Sequence, residues 1–180
     1  MPHKYILFGI ATVLVLLTIF GNKKVRLLSV VLKQFQVFKN AKTGKISIWD
    51  IVCFVVNPVI LATIITIGFD CTINDTLAGI LTTVFSFIFT VLFGFAAILV
   101  GKLESKNDIE KQVVAETFIS IMTSNVLSLI SAILSIAIII TEDTADSILS
   151  IVVYSFSFMI LMLLMMISKR TFIIYCNNSD

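Results

Sequence analysis

Apolar positions in this chain come in long uninterrupted runs, at 5–20, 51–69, 77–100, 118–140 and 148–168, and none of the five runs contains a charged side chain. Runs of this kind have no polar face to turn toward water. A helix of about 20 apolar residues crosses a bilayer core about 30 Å thick, so the pattern predicts an all-α fold, a polytopic transmembrane helical bundle of four to five spans. The run at 5–20 is the shortest, near the lower limit for crossing, and it follows Met1, Pro2, His3 and Lys4 as the apolar part of a signal peptide would. No small-x-small cleavage site follows it, and Gly21, Asn22 and Lys23 suit a signal peptidase poorly, so an uncleaved anchor is expected. Residues 1–50 then form an N-terminal membrane helix with a basic interfacial segment, 51–168 a four-helix membrane bundle, and 169–180 a tail.

Polar positions inside the runs fall on stripes. The fourth run carries Thr117, Ser120, Ser124, Ser128, Ser131 and Ser135 at spacings of 3, 4, 4, 3 and 4, which places all six within an arc of roughly 80° on a helix. The third run has a small face of Gly79, Thr83, Ser86, Thr90, Gly94, Ala97 and Gly101, and the fifth a weaker one of Ser147, Ser150, Tyr154 and Ser157. In lipid, small residues let backbones approach and hydroxyls bond across the seam, for about 0.6–2 kcal/mol each. These stripes pack helices, or line a water-filled path once subunits assemble. Replacing Ser128 by Leu separates the two: assembly fails in the first case, while conductance falls with assembly intact in the second. The deepest strongly polar groups are Asn57 and Asn125. Asn57 precedes Pro58, which lacks a backbone donor and predicts a kink in the second span, a gate or a packed bend.

An internal repeat runs at an offset of 71 residues, pairing Asp75, Thr76, Leu77, Ile80, Leu81, Phe85, Ser86 and Phe87 with Asp146, Ser147, Ile148, Ile151, Val152, Phe156, Ser157 and Phe158. Read as a duplication, it gives two tandem parallel helical hairpins after the N-terminal helix; the small alphabet of apolar helices gives the same matches by chance.

Composition agrees with the pattern: 58% of the 180 residues are hydrophobic and 13% charged, leaving too little chain for a separate soluble domain. Charge adds the topology. No Lys or Arg occurs between Lys45 and Lys102 or between Lys111 and Lys169. Apart from Lys4, the basic residues cluster at 21–50, at 101–116 and in the tail. The alternate loops carry only acids, Asp70 and Asp75, then Glu142, Asp143 and Asp146. The positive-inside bias therefore predicts an inner-membrane protein with its C-terminus cytoplasmic and its N-terminus outside.

Two basic segments are candidate contact surfaces. Segment 25–38 reads as an interfacial helix with Arg26, Ser29, Lys33 and Gln36 on a narrow polar face and Leu28, Val31, Leu32, Phe35 and Phe38 around it. It suits a layer of anionic headgroups, or a partner protein. Segment 102–116 mixes Lys102, Glu104, Lys106, Asp108, Glu110, Lys111 and Glu116, as a solvated connector or a docking site for a cytosolic protein does.

Soluble chemistry is excluded on several counts. His3 is the single histidine, so no His-based metal cluster or nucleophile triad can be assembled within a subunit. Thr43, Gly44 and Lys45 resemble the end of a phosphate loop, but Lys39 stands where its first glycine belongs and Ile46 where its hydroxyl belongs. No carboxylate lies at membrane depth for intramembrane proteolysis or proton coupling. Cys53, Cys71 and Cys176 fall at three different levels of the predicted topology and cannot pair within one subunit. Asn74, Asp75 and Thr76 form a glycosylation sequon held tight against the membrane. Neither enzymatic activity nor a cofactor is expected, nor nucleic-acid binding, since topology accounts for the basic residues.

In layout, the short apolar hairpins, the Lys-rich linker from Lys23 to Lys45 and the charged hairpin at 102–116, the chain resembles the small multispanning subunits of bacterial anti-phage defence systems, such as the membrane component of Kiwa. The resemblance implies homo-oligomerisation, a soluble effector partner and a response to phage through the membrane. Three functional classes follow: a non-enzymatic oligomeric scaffold or sensor for a cytosolic effector, an oligomeric channel or pore-forming effector, and an immunity protein against a membrane-active toxin.

Overall fold

The computed structural model describes residues 27–38, 47–101, 108–141 and 146–177; the expected span at 5–20 lies outside them, as do Arg26, Lys102 and Lys106. Five helices occupy the described residues: α1, Leu27–Val37; α2, Ile48–Gly68; α3, Asp75–Val100; α4, Asp108–Thr141; and α5, Asp146–Asn177. Four of them, α2 to α5, are long and apolar enough to cross a membrane. The protein is a membrane-embedded all-α bundle.

Local chemistry sets the helix ends. At the start of α2, Ser47 Oγ accepts the Asp50 N–H at 3.3 Å, and at the start of α3, Asn74 Oδ1 accepts the Leu77 N–H at 2.9 Å, each quenching one donor that a helix leaves unpaired. The sequon asparagine is thus a capping residue. α2 ends where Asp70 takes a left-handed backbone, φ 53°, a conformation that a short Asp side chain tolerates better than most. Within α2, the Asn57 N–H reaches back five residues to the Val52 carbonyl. This widened turn sits immediately before Pro58, whose ring has no N–H to give and crowds the carbonyl four residues back.

Packing order does not follow chain order. α4 packs against α3 and α5, α2 packs against α5, and α1 packs on α4, so the four long helices form a row α2, α5, α4, α3. Two equivalent hairpins were the expectation from the repeat; here α4 and α5 form a packed hairpin while α2 and α3, consecutive in the chain, do not touch. The loop between them reaches α5. The Ile73 N–H donates to Ser150 Oγ at 2.9 Å in a buried bond, and the Ile73 side chain enters a core with Ala78, Phe85, Ala132, Ile138, Val153 and Ile160. The loop is thereby tied to the first turn of α5. A second core, toward the Lys-rich end of the helices, joins Leu92, Ala96 and Leu99 of α3 to Val114 and Ile121 of α4 and Ile167 of α5.

α4 is the central helix. Half of its most apolar stretch is buried inside the subunit, 50%, against 17%, 22% and 28% for α2, α3 and α5. Large apolar side chains such as Ile80, Phe87, Val91 and Ile98 of α3 and Ile60 and Ile67 of α2 point outward, as they do when the surroundings are lipid. Trp49, 75% exposed, stands at the first turn of α2, the level at which aromatic side chains anchor a span in the interface.

Candidate functional site

The hydroxyl stripe of α4 is internal. Thr117, Ser120, Ser124, Ser128, Ser131 and Ser135 are all fully buried within the subunit, away from any surface that another subunit or a central lumen would use. Their hydrogen bonding divides the stripe in two. Toward the Lys-rich end, Thr117, Ser120 and Ser124 donate to the carbonyls of Val113, Glu116 and Ser120 at 2.7–3.0 Å, and Thr123 beside them donates to Ile119 at 2.9 Å. Toward the acidic-loop end, the hydroxyls of Ser128, Ser131 and Ser135 and the Oδ1 of Asn125 are buried without a partner. Unpartnered polar atoms in a low-dielectric core are costly, about 1–3 kcal/mol each in protein mutational data.

The small face of α3 is oriented the other way. Thr83, Ser86, Thr90, Gly94, Ala97 and Gly101 are exposed and Gly79 is half-buried; at 100° per residue the stripe is centred roughly 145° round the helix from the buried Ala78, Phe85, Leu92, Ala96 and Leu99. A Cβ added at Gly79 or Gly94 would meet nothing within 4 Å. The hydroxyls of Thr83, Ser86 and Thr90 donate to the carbonyls four residues back, at 3.1, 2.8 and 2.9 Å, so their oxygens remain open as acceptors on the outer surface. On the far end of the row, Pro58 is buried while Asn57 faces outward. Its amide lies nine residues from the start of α2, and Thr90 ten residues from the end of α3, which puts the two at nearly the same depth, about 14 and 15 Å from the Lys-rich end.

Charged chemistry concentrates at the Lys-rich end. Arg170 of α5 pairs with Glu116 of α4 at 3.1 Å, and Gln112 Nε2 donates to the other Glu116 oxygen at 3.0 Å. Asp50 of α2 also acts on the Arg170 charge. Beside this cluster a groove of about 660 Å³ is lined by Val37 and Phe38, by Asp50 and Phe54, and on α5 by Met162, Met165, Met166, Lys169, Arg170 and Ile173. Phe38 and Phe54 stack at 5.1 Å across its α1–α2 side. Gln34, one turn back from Val37 and Phe38, is 4% exposed and leaves both amide atoms unpartnered. Of the predicted contact residues, Lys33 and Lys111 are exposed, while Asp108 and Glu110 begin α4 with side chains outside the described residues. Sequence reading passed over this groove. Its one legible trace is Met162, Met165, Met166, Lys169 and Arg170 at helical spacing; the contribution of Asp50, more than a hundred residues away, has no local signal.

Among the described residues no group of three or more His, Cys, Asp or Glu is placed to hold a metal ion. Comparison of the chain with protein-family models, with curated proteins and with solved structures finds no match.

Proposed function

We propose that the protein is a non-enzymatic scaffold or sensor subunit of the inner membrane that works as a homo-oligomer and holds a cytosolic effector at its Lys-rich end. One observation carries the reading: polar groups face outward at membrane depth at both ends of the helix row, Asn57 on α2 and the Thr83, Ser86 and Thr90 face on α3. Hydrocarbon offers them no partners, and small-residue faces are where membrane helices meet. Their matched depth supports a head-to-tail contact, α2 of one subunit against α3 of the next, with the Asn57 amide donating to the open Thr90 oxygen. Head-to-tail contacts of this kind close into rings where the rotation from one subunit to the next permits it. The shared layout with membrane subunits of anti-phage defence systems supports placing the effector on the basic side.

Cysteine cross-linking in membranes tests the arrangement. Asn57→Cys and Thr90→Cys, mixed from two tagged copies of the chain, are expected to form a disulfide between subunits, and Val59→Cys, about 200° round the helix from Asn57, is expected to form none with Thr90→Cys. Strong Thr90→Cys self-pairing in place of the mixed pair would put the α3 faces round a common axis, the geometry of a hydroxyl-lined pore, and conductance in liposomes would then be the measurement to make. A monomer in membranes would end both readings.

A further inference from the structure

The groove at the Lys-rich end pairs an apolar trough with charges of both signs, and that combination specifies an occupant. Its long wall is three methionines of α5, flexible and polarizable side chains that fit irregular apolar shapes, facing Phe54 of α2. Met165 and Ile173 are 63% and 48% exposed, so the trough opens sideways, into the acyl region of the adjacent leaflet. At its head stand the Lys169 ammonium and the Arg170 guanidinium, with the Asp50 carboxylate on the opposite wall. Among the described residues the one ion pair is Arg170 with Glu116; Asp50 acts on the Arg170 charge across the groove, and Lys169 has no ionic partner among them. Sites of this size, several hundred cubic ångströms, are typical of ligand pockets.

From this geometry we propose that the groove is a binding site for a phospholipid with an ethanolamine headgroup: the phosphate sits between Lys169 and Arg170, the primary ammonium donates to Asp50, and one acyl chain lies along Met162, Met165 and Met166. Charge complementarity selects the headgroup. The lining carries one carboxylate against two cations, and Glu116 behind it neutralises much of Arg170, so an anionic lipid such as a phosphatidylglycerol offers Asp50 only neutral hydroxyls, without the charge assistance of an ammonium. A choline headgroup carries a cation with no N–H to donate. The ethanolamine headgroup alone among these meets the phosphate-binding and the ammonium-binding walls together. This inference stands apart from the self-association reading, since neither Asn57 nor the α3 face takes part.

Full-length protein, stripped of lipid in mild detergent and given phosphatidylethanolamine, phosphatidylcholine and phosphatidylglycerol of identical acyl chains, tests it by native mass spectrometry. Ethanolamine lipid is expected to be retained about tenfold or more over the other two, the discrimination that one charge-assisted hydrogen bond provides. Asp50→Asn is expected to bring ethanolamine retention down to the choline level, and Lys169→Gln to weaken ethanolamine and glycerol lipids together. Met165→Trp, at an exposed position away from both cores, fills the trough and is expected to abolish retention whether or not the charge variants fold. Equal retention of all three lipids, a glycerol-lipid preference untouched by Asp50→Asn, or displacement of the bound lipid by millimolar inorganic phosphate would each overturn the assignment, the last by making the site one for free phosphate.

Discussion

Burial without a partner separates side chains that the primary structure presents as equals. Ser124 and Ser131 belong to one stripe, yet the first returns its hydrogen bond to the backbone at 3.0 Å and the second has no acceptor. Ser131→Ala is accordingly expected to leave thermal unfolding in detergent unchanged or to stabilise by up to about 1 kcal/mol, because the change removes a desolvated group and little volume. Ser150→Ala has the opposite sign. It strips the buried Ile73 N–H of its acceptor and is expected to destabilise by about 1–3 kcal/mol, with Ser150→Thr, which keeps a hydroxyl acceptor, losing less. Glu116→Ala, which leaves the largely buried Arg170 unpaired, is expected to cost on the order of 1.5–3 kcal/mol, and Glu116→Gln less. Ser128→Leu, overpacking a fully buried site, is expected to lower subunit stability by about 1–3 kcal/mol. The spacing of the stripe is legible in the residue order; which hydroxyls find an acceptor is not, since that depends on side-chain rotamers and on the neighbours of each turn.

Helix by helix, the periodicity locates faces but not what they face. Apolar side chains turned to lipid and apolar side chains turned to a core look alike in a sequence, which is why the stripes of α3 and α4 read as one kind of feature although α3 presents its stripe outward and α4 inward. The run boundaries fared better: the expected spans at 51–69, 77–100, 118–140 and 148–168 lie over α2 to α5, and α4 and α5 extend beyond theirs at the Lys-rich end. The outward face of α3 gives a test at this scale. Gly94→Leu meets no neighbour within the subunit and exchanges a poor helix former for a good one, so unfolding of the isolated subunit is expected to be unchanged or raised by up to about 1 kcal/mol. The same substitution blocks close helix approach and is expected to shift the mass distribution in mild detergent toward monomer.

For the molecule as a whole, the charge asymmetry predicts which ends of the row share a side, and the structure groups those ends: α1, the start of α2 and the end of α5 meet round one groove. The exposed Cys71 in the α2–α3 loop makes the orientation measurable. A membrane-impermeant maleimide added to intact cells is expected to label Cys71, and labelling only after the inner face is opened would reverse the topology. The order of packing was not legible, because it rests on long-range contacts, the two buried cores and the Ile73–Ser150 bond among them, rather than on any local pattern. That order has a consequence for synthesis. Among the described helices α2 packs only on α5, so after α2 leaves the ribosome it must stay solvated by lipid or held by the insertion machinery until α5 arrives. Docking of α2 is thus timed by α5, and a chain stalled before α5 would leave in the membrane a helix with no partner among the described ones.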